Sequence, residues 1–464
     1  MLFNSIQFVL FFIIVTILYF KMPHQWRWAL LLLASCYFYM IFKVVYILIL
    51  GFTIVIDYFA GIFIENAEGQ KRKYYLIVSL IANIGVLVVF KYWNFLNVNL
   101  SSVLNSFNAQ NPVPFLEILL PIGLSFHTFQ AMSYTIEVYR GKQKAEKHFG
   151  IYSLYVMFYP QLVAGPIERP QNLLPQFHKE QYWNYERFKS GLMLMLWGFF
   201  KKVVIADRLS ILVNETYGDI DNQNGATLFV ATLFFTFQIY CDFSGYSDIA
   251  IGSAKIMGYD LMQNFNAPYF SKSISEFWSR WHISLSTWFK DYLYIPLGGN
   301  RVGVPRWYFN LMLVFVVSGI WHGANWTFVV WGALHGIYLI LALVRDRYLS
   351  PKFRMPAAIQ VVVTFLLVAT TWIFFRADSI ENAFKILDKI ANISFTDTIH
   401  SNVLSGNELI FCVLLVVLLM LKDRFYAQIN TKNDVLFWVK CIGFGAAIVL
   451  LGVFEQSQFI YFQF

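Results

Sequence analysis

Residues 319–336 read GIWHGANWTFVVWGALHG, an aromatic and uncharged stretch that nevertheless contains two histidines, His322 and His335. The stretch lies inside an apolar run, residues 308–345, that is long enough to cross the roughly 30 Å hydrocarbon layer of a bilayer. Ionisable groups at that depth are costly and usually face a protein interior or a water-filled cavity. We therefore treat His322 as a candidate functional residue, with a satisfied core histidine as the alternative.

His335 has a different expectation. It follows His322 by 13 positions, which places the two side chains about 220° apart on a continuous helix. They would not converge on such a helix, so His335 is predicted to be a packing or helix-end residue.

The whole chain has the composition of an integral membrane protein. Of its 464 residues, 58% are hydrophobic and 13% are charged, about half the charged fraction of a soluble domain. We expect an all-α polytopic protein with roughly eleven or twelve transmembrane helices by the length rule, together with re-entrant or interfacial helices. The apolar runs fall at about 3–20, 28–64, 74–95, 114–136, 186–205, 226–258, 308–345, 356–376, 408–421 and 434–453.

Loop charge predicts the orientation in the bilayer. Basic residues follow the first, third and fifth expected helices, whereas residues 92–116 carry no charge. Cytoplasmic loops carry the excess of Lys and Arg, so the N-terminus is expected on the extracytoplasmic side. The start, MLFNS, lacks the basic region and cleavage site of a signal peptide, so the first run is expected to remain as a helix.

Net charge and cysteines exclude several classes of protein. The net charge of +8 is explained by the loop bias and by anionic headgroups, and no basic folded domain indicates nucleic-acid binding. The four cysteines stand singly, which indicates neither a zinc site nor a disulfide framework.

We expect a single membrane domain over residues 1–464, divided into N-terminal helices (1–136), a catalytic core (137–376) with a re-entrant segment (259–307), and C-terminal helices (377–464).

The least apolar interior segment contains SISEFWSRWHISLSTWFKDYLYIPLGGNR, residues 273–301. On a continuous helix, Trp278, His282 and Ser286 recur every four residues and share a face, and Glu276 can pair with Arg280. The segment is amphipathic and is predicted to be an interfacial or re-entrant helix. An aromatic-belt helix with cations that reach the headgroups is the alternative.

A second polar segment, residues 238–248, reads QIYCDFSGYSD in an apolar background. Asp242 and Asp248 are six positions apart and lie about 240° apart on a helix, so they do not form a dyad by themselves. We expect this segment to line a reaction chamber or to lock helices together.

A neutral histidine in a dry site suits proton transfer in acyl transfer, because its ordinary pKa is near 6.5. The chain has no nucleophile elbow, zinc-protease motif, phosphate loop or dinucleotide fingerprint. A serine hydrolase, a metalloprotease and an ATP-driven pump are therefore poorly supported. A secondary transporter and a non-catalytic scaffold of an export complex remain as alternatives.

Two motifs, RWHISLS at 280–286 and WHGANW at 321–326, resemble the two histidine signatures of the membrane-bound O-acyltransferase superfamily. The nearer likeness is to its bacterial branch that O-acetylates alginate. Supporting motifs extend the resemblance over nearly the whole chain: MLFNS (1–5), PIGLSF (121–126), PQLVAGPI (160–167), CDFSGYSD (241–248), IPLGGNR (295–301), FFRA (374–377) and FIYFQF (459–464).

This resemblance implies a bacterial inner-membrane enzyme that moves an acetyl group from cytoplasmic acetyl-CoA to an extracytoplasmic acceptor, with no bound cofactor or metal. The acceptor would be a hydroxyl on an SGNH-type O-acetyltransferase partner or on the polysaccharide itself, such as alginate, beside the polysaccharide export machinery. Peptidoglycan O-acetylation and teichoic acid D-alanylation are the alternatives within the family.

The resemblance also implies roles for residues. His322 would take the proton of the acceptor hydroxyl, and His282 would hydrogen-bond the thioester carbonyl or the oxyanion. Arg280, Lys290 and Arg301 would attract the phosphates of coenzyme A, with ordinary loop charges as the alternative. Further candidates for substrate or donor binding are Ser286, Trp321, Asn325, Gln238, Tyr240, Asp242 and Ser244.

Overall fold

The computed structural model describes residues 1–117, 121–163, 165–348, 355–425, 432–454 and 459–460. Three sequence features fall partly outside the described residues: the apolar run 114–136, Ala164 of PQLVAGPI, and residues 461–464 of the C-terminal motif. The described part of the chain is helical and contains no strand, which confirms the all-α prediction. Its contacts form two compact units, and the single-domain organisation stays a prediction.

The first unit comprises Met1–Leu192 and Ile249–Met262. Its helices are α1 (Ile6–Lys21), α2 (His24–Met40), α3 (Tyr46–Asn66), α4 (Gln70–Leu87), α5 (Trp93–Ser106), α6 (Leu124–Tyr139), α7 (Phe149–Met157), α8 (Tyr159–Leu162), α9 (Pro170–Phe177) and the first half of α10 (Tyr185–Phe199). A π-helical turn, Val88–Tyr92, joins α4 to α5.

The second unit comprises Met193–Asp248 and Gln263–Phe464. A π-helical segment, Phe200–Ala206, continues α10. The helices that follow are α11 (Asp207–Gly218), α12 (Gly225–Met257), α13 (Ile274–Arg280), α14 (Ile283–Phe289), α15 (Val304–His322), α16 (Trp326–Tyr348), α17 (Ala357–Arg376), α18 (Ile380–Ala391), α19 (Gly406–Phe425) and α20 (Asp434–Leu451).

Seven helical stretches of the described chain are long and apolar enough to span a membrane: Tyr46–Asn66, Gln70–Ser106, Gly225–Met257, Val304–His322, Trp326–Tyr348, Ala357–Arg376 and Asp434–Leu451. The expected eleven or twelve is higher, because some apolar runs form shorter or interrupted helices; Ile6–Lys21 has 16 residues. Large apolar side chains point outward, with Leu48, Ile442 and Leu450 exposed by 70%, 71% and 79%. Such surfaces suit lipid acyl chains, so the protein is polytopic, as predicted.

Polar contacts join helices inside the first unit. The buried carboxylate of Asp57 on α3 accepts hydrogen bonds from Ser79 Oγ at 2.6 Å and from Asn83 Nδ2 at 2.8 Å. His127 Nε2 of α6 lies 3.2 Å from the Thr53 hydroxyl of α3. Interhelical hydrogen bonds of this kind hold membrane helices together.

A buried glutamate fastens the loop that follows α12. Glu168 accepts hydrogen bonds from Met262 N and Asn172 Nδ2, both at 2.6 Å. Burial raises the pKa of this carboxyl to about 7, against the opposing effect of those donors. A carboxylate this deeply buried disfavours its charged form even when it is well hydrogen-bonded.

Candidate active site

His322 is the last residue of α15 and is 4% exposed. The chain turns there, and α16 begins at Trp326, so His322 and His335 lie on two helices and not on one continuous helix. Among the residues that the structure describes, aromatic rings lie close to the imidazole: its centroid is 4.9 Å from Trp321, 4.9 Å from Trp331 and 5.4 Å from Phe375. The histidine therefore sits in an aromatic enclosure that excludes bulk water.

The hairpin of α15 and α16 sets the position of His322. A Cβ on Gly319 would lie 2.2 Å from the Phe328 carbonyl oxygen, and one on Gly332 would lie 2.3 Å from the Phe315 carbonyl oxygen. Both contacts are with backbone and cannot relax by side-chain rotation. Glycine at these positions lets the two backbones touch, as small residues do at membrane helix interfaces. His322 lies one turn beyond this contact.

His282 lies between two short helices. The structure ends α13 at Arg280 and begins α14 at Ile283, and His282 has φ of 44° and ψ of 55°. The expectation of one continuous helix with Trp278, His282 and Ser286 on a shared face is therefore wrong. A non-glycine residue in this left-handed region must be held there by its surroundings. The predicted pair of Glu276 and Arg280 is confirmed at 2.7 Å.

Asn264 explains the break in the helix. Its backbone carbonyl accepts from Ile283 N at 2.9 Å, and its side-chain Oδ1 accepts from Ser284 N at 3.2 Å and from Ser284 Oγ at 2.9 Å. These backbone groups would bond within the helix if it were continuous. Because Asn264 satisfies them, the chain can turn at His282 without leaving buried donors unpaired.

The same asparagine determines the hydrogen bonding of His282. Its Nδ1 lies 3.1 Å from Asn264 Oδ1, and the ring is 1% exposed. His282 is outside the membrane-spanning helices, and burial lowers its pKa to about 3, so the imidazole is neutral. Nδ1 is therefore the ring nitrogen that meets Asn264. The expected role of His282 at the thioester carbonyl or the oxyanion stays a prediction.

Trp321 connects the two histidine motifs. Its indole centroid is 4.9 Å from the His322 ring and 6.4 Å from the His282 ring, and the side chain is 4% exposed. The second unit therefore gathers the motifs at 280–286 and 321–326 around one indole. This juxtaposition is the chemical centre of the candidate site.

His335 serves the packing of the helices, as expected. Trp278 Nε1 donates to its Nδ1 at 3.3 Å, and its Nε2 lies 3.0 Å from Thr371 Oγ1. Because an indole nitrogen only donates, Nδ1 accepts and Nε2–H donates to Thr371. Thr371 in turn donates to the Val368 carbonyl at 2.7 Å. Both ring nitrogens are thus used in joining α13, α16 and α17.

The predicted donor-binding cations lie in different environments. Lys290 and Arg301 are exposed, whereas Arg280 is held by Glu276.

Ser286 Oγ donates to the Trp281 carbonyl at 3.2 Å. Asn325 caps α16, since its Oδ1 accepts from Thr327 N at 3.1 Å and its Nδ2 donates to the Asp378 carbonyl at 2.9 Å. The contacts of these last two residues are structural.

The polar segment of α12 locks helices together. Lys202 Nζ lies 2.7 Å from both Asp207 Oδ1 and Asp242 Oδ1, and Asp242 Oδ2 accepts from Ile460 N at 2.7 Å. Ser244 accepts from Lys201 at 2.8 Å, Tyr240 donates to Asp423 at 2.6 Å, and Gln238 is half-buried. Of the two expected roles, the contacts of Asp242, Ser244 and Tyr240 favour locking.

Sequence reasoning missed two features of this unit. Adjacent lysines, Lys201 and Lys202, are buried in a stretch treated only as an apolar run, although two consecutive cations there were a visible signal of internal ion pairs. Asn264 gave no such signal, because it stands in a loop without periodicity. Its contacts with residues 282–284 come only from the tertiary structure.

Comparisons with known proteins identify the relatives of this chain. The family model of the membrane-bound O-acyltransferases matches residues 148–377. The chain is 40% identical to a probable alginate O-acetylase, AlgI, of Pseudomonas aeruginosa over 84% of its own length and 74% of that protein. It is 35% identical to the AlgI of Pseudomonas putida over the full length of both. A peptidoglycan O-acetyltransferase of Helicobacter pylori is 33% identical over 95% of this chain and 92% of its own.

The chain therefore belongs to the membrane-bound O-acyltransferase family. It is a multi-pass membrane enzyme, an acyltransferase, which sets aside the scaffold and the transporter as its class. The resemblance inferred from the two histidine motifs is confirmed.

Proposed function

We propose that this protein transfers an acetyl group from cytoplasmic acetyl-CoA, through the inner membrane, to an extracytoplasmic acceptor that O-acetylates an exported polysaccharide such as alginate. The observation that carries the proposal is the convergence of His282 and His322 on the Trp321 indole. Relatives named as O-acetylases match the chain over most or all of its length and support the acetyl group.

The reaction assigns one proton transfer to His322. The acceptor hydroxyl attacks the thioester carbonyl while His322 removes the hydroxyl proton, so that the new C–O bond forms as the C–S bond breaks. The imidazolium then returns the proton to the leaving thiolate, which gives coenzyme A and the acetyl ester. The aromatic enclosure around His322 excludes water that would otherwise hydrolyse the thioester.

The acceptor belongs to an extracytoplasmic partner of the SGNH type, or is the polysaccharide itself at its export machinery. In this arrangement the N-terminus lies on the extracytoplasmic side of the membrane. The exposed cations Lys290 and Arg301 bind the phosphates of the donor. Replacing both with Gln is expected to raise the KM for acetyl-CoA, with kcat little changed, and to weaken its dependence on salt.

Peptidoglycan is the second candidate acceptor. The Helicobacter pylori relative, named a peptidoglycan O-acetyltransferase, is almost as similar to this chain as the alginate O-acetylases are. Presenting purified protein with alginate oligomers, peptidoglycan fragments and a purified SGNH-type partner separates these acceptors.

The central experiment follows radiolabel from acetyl-CoA to acceptor with purified protein in lipid vesicles. His322→Gln is expected to lower kcat by about 100-fold or more, as the loss of a general base does. His335→Gln is the matched control, because both imidazoles lie about 5 Å from the Trp331 indole. The control is expected to lose thermal stability and to keep transfer per folded molecule.

The outcomes are distinct. If the parent transfers no label from acetyl-CoA to any of the acceptors, the proposed donor and reaction are wrong. If His322→Gln transfers label as fast as the parent, acetyl transfer stands but the base is not His322.

A further inference from the structure

We propose that a groove at one end of the α3–α4 pair is a binding site for a phospholipid with a zwitterionic amine headgroup, such as phosphatidylethanolamine. The acyl chain lies in the groove, and the phosphate and ammonium groups meet Lys43 and Glu117. The inference concerns the first unit alone and does not depend on the proposed function.

The groove has a volume of about 700 Å³ and a largely apolar wall. Its apolar side chains come from the beginning of α3 and from the end of α4 with the π-helical turn that follows: Leu48, Ile49, Phe52, Val86 and Phe90. Leu48 and Phe52 are exposed by 70% and 55%, so the groove opens sideways to the surroundings of the helices. In a bilayer those surroundings are lipid acyl chains.

The charged end of the groove lies at the level expected for lipid headgroups. From Gln70, the first residue of α4, to Phe90 in the π-helical turn the chain rises by about 30 Å. The hydrocarbon layer of a bilayer has the same thickness, roughly 30 Å. The basic residues Lys71, Arg72 and Lys73 stand at the other end of α4. An acyl chain in the groove would therefore have its headgroup beside the outer end of the α3–α4 pair.

Among the described residues that line the groove, two carry charges of opposite sign, Lys43 and Glu117. Both are exposed, and Lys43 Nζ lies 5.5 Å from the centroid of the Tyr46 ring. Phosphate oxygens accept charge-assisted hydrogen bonds from lysine, and a carboxylate accepts them from an ammonium group. The pair therefore complements a headgroup that contains both groups. A purely anionic headgroup would instead meet Glu117 as a like charge.

The position of Glu117 is held by α5. Asn94 bonds twice to the preceding residue, since its Nδ2 donates to the Leu116 carbonyl at 2.8 Å and its Oδ1 accepts from Leu116 N at 2.9 Å. Trp93 Nε1 also donates to the Pro114 carbonyl, at 3.0 Å. These bonds fix the extended chain just before Glu117, so its carboxylate reaches the groove from an anchored segment.

A transmembrane helix of a protein partner is the other occupant that an apolar groove can accept. The charges favour the lipid, because charged side chains within a transmembrane helix are rare. Every phosphatidylethanolamine molecule, by contrast, carries both charges next to its acyl chains. Lipid binding that survives closure of the groove would point to the helix.

Native mass spectrometry of the purified full chain tests the site, with dioleoyl phosphatidylethanolamine and dioleoyl phosphatidylglycerol added separately to detergent micelles. One phosphatidylethanolamine is expected to bind more tightly than those that follow it. Leu48→Trp should weaken this first binding by about tenfold, the effect of roughly two methylene groups leaving the groove. Ile442→Trp is the matched control, because Ile442 of α20 is 71% exposed and does not line the groove. It should bind the lipid as the parent does.

Charge variants identify the headgroup. Lys43→Gln should weaken the binding of both lipids by about fivefold, the effect of one cation near lipid phosphate. Glu117→Gln should weaken phosphatidylethanolamine by a similar factor and should not weaken phosphatidylglycerol, which has no ammonium group. Thermal unfolding should show that these exposed substitutions keep the fold.

Two results would overturn the inference. If Leu48→Trp binds the first phosphatidylethanolamine as tightly as the parent does, the lipid does not occupy the groove. If Glu117→Gln weakens both lipids equally, or weakens neither, the pair of Lys43 and Glu117 does not recognise the headgroup.

Discussion

Gly319→Ala tests whether the α15–α16 contact places His322. The new Cβ would lie 2.2 Å from the Phe328 carbonyl oxygen, and ordinary contact begins at 3.4 Å, so the two backbones must separate by roughly 1.2 Å. Overpacking of this kind costs about 1–3 kcal/mol. A catalytic group misplaced by about 1 Å costs about 100-fold in rate. We therefore expect a lower unfolding temperature and a kcat reduced by about 100-fold.

The assay compares acetyl transfer per folded molecule with thermal unfolding in detergent. Gly443→Ala on α20 is the matched control, because a Cβ there meets nothing within 4 Å. It should gain slightly in helix propensity and leave kcat unchanged. If Gly319→Ala matches this control in both stability and kcat, the glycine contact does not position His322 and the reasoning is refuted.

Three further predictions concern stability. Trp278→Phe leaves His335 Nδ1 without its donor, so thermal unfolding should show a loss of about 1–3 kcal/mol. Lys202→Met leaves buried carboxylates uncompensated, which should cost about 3–5 kcal/mol in the same assay, and adding Asp242→Asn should restore part of it. For Glu168, burial raises the pKa of the carboxyl from its ordinary value of 4.5 to about 7 in the folded protein. Because the folded state then binds this proton more tightly than the unfolded chain does, the free energy of unfolding should fall as pH rises from 4.5 to 7 and stay level above pH 7.

Each of these predictions has a contrary result. A Trp278→Phe protein as stable as the parent would mean that water or another donor replaces the indole. Full stability of Lys202→Met would contradict the ion-pair cluster, and Asp242→Asn alone gives the reference for the double variant. Glu168→Gln should abolish the fall in stability between pH 4.5 and 7, and an unchanged fall would assign it to another group.

Periodicity located the helices well where side chains face lipid. The runs at 356–376 and 434–453 correspond closely to Ala357–Arg376 and Asp434–Leu451, because a lipid-exposed helix must be apolar over the full depth of the bilayer. The same reasoning failed at 273–289, where the pattern of Trp278, His282 and Ser286 suggested one helix. Periodicity assumes that backbone groups bond within the segment, and here Asn264 bonds them from outside.

Motif and composition alone determined that this chain is an all-α membrane protein, that it resembles the membrane-bound O-acyltransferases, and that His322 and His282 are its candidate residues. These conclusions depend on residue types and local spacing, which the sequence contains directly.

Tertiary structure decided what those residues can do. It placed both imidazoles against Trp321, turned His335 into a structural bridge, and paired Lys202 with Asp242. It also brought the side chain of Asn264, 18 positions away in the chain, within hydrogen-bonding distance of His282. Which donors and acceptors meet in space depends on the fold, and no spacing rule along the sequence specifies that meeting.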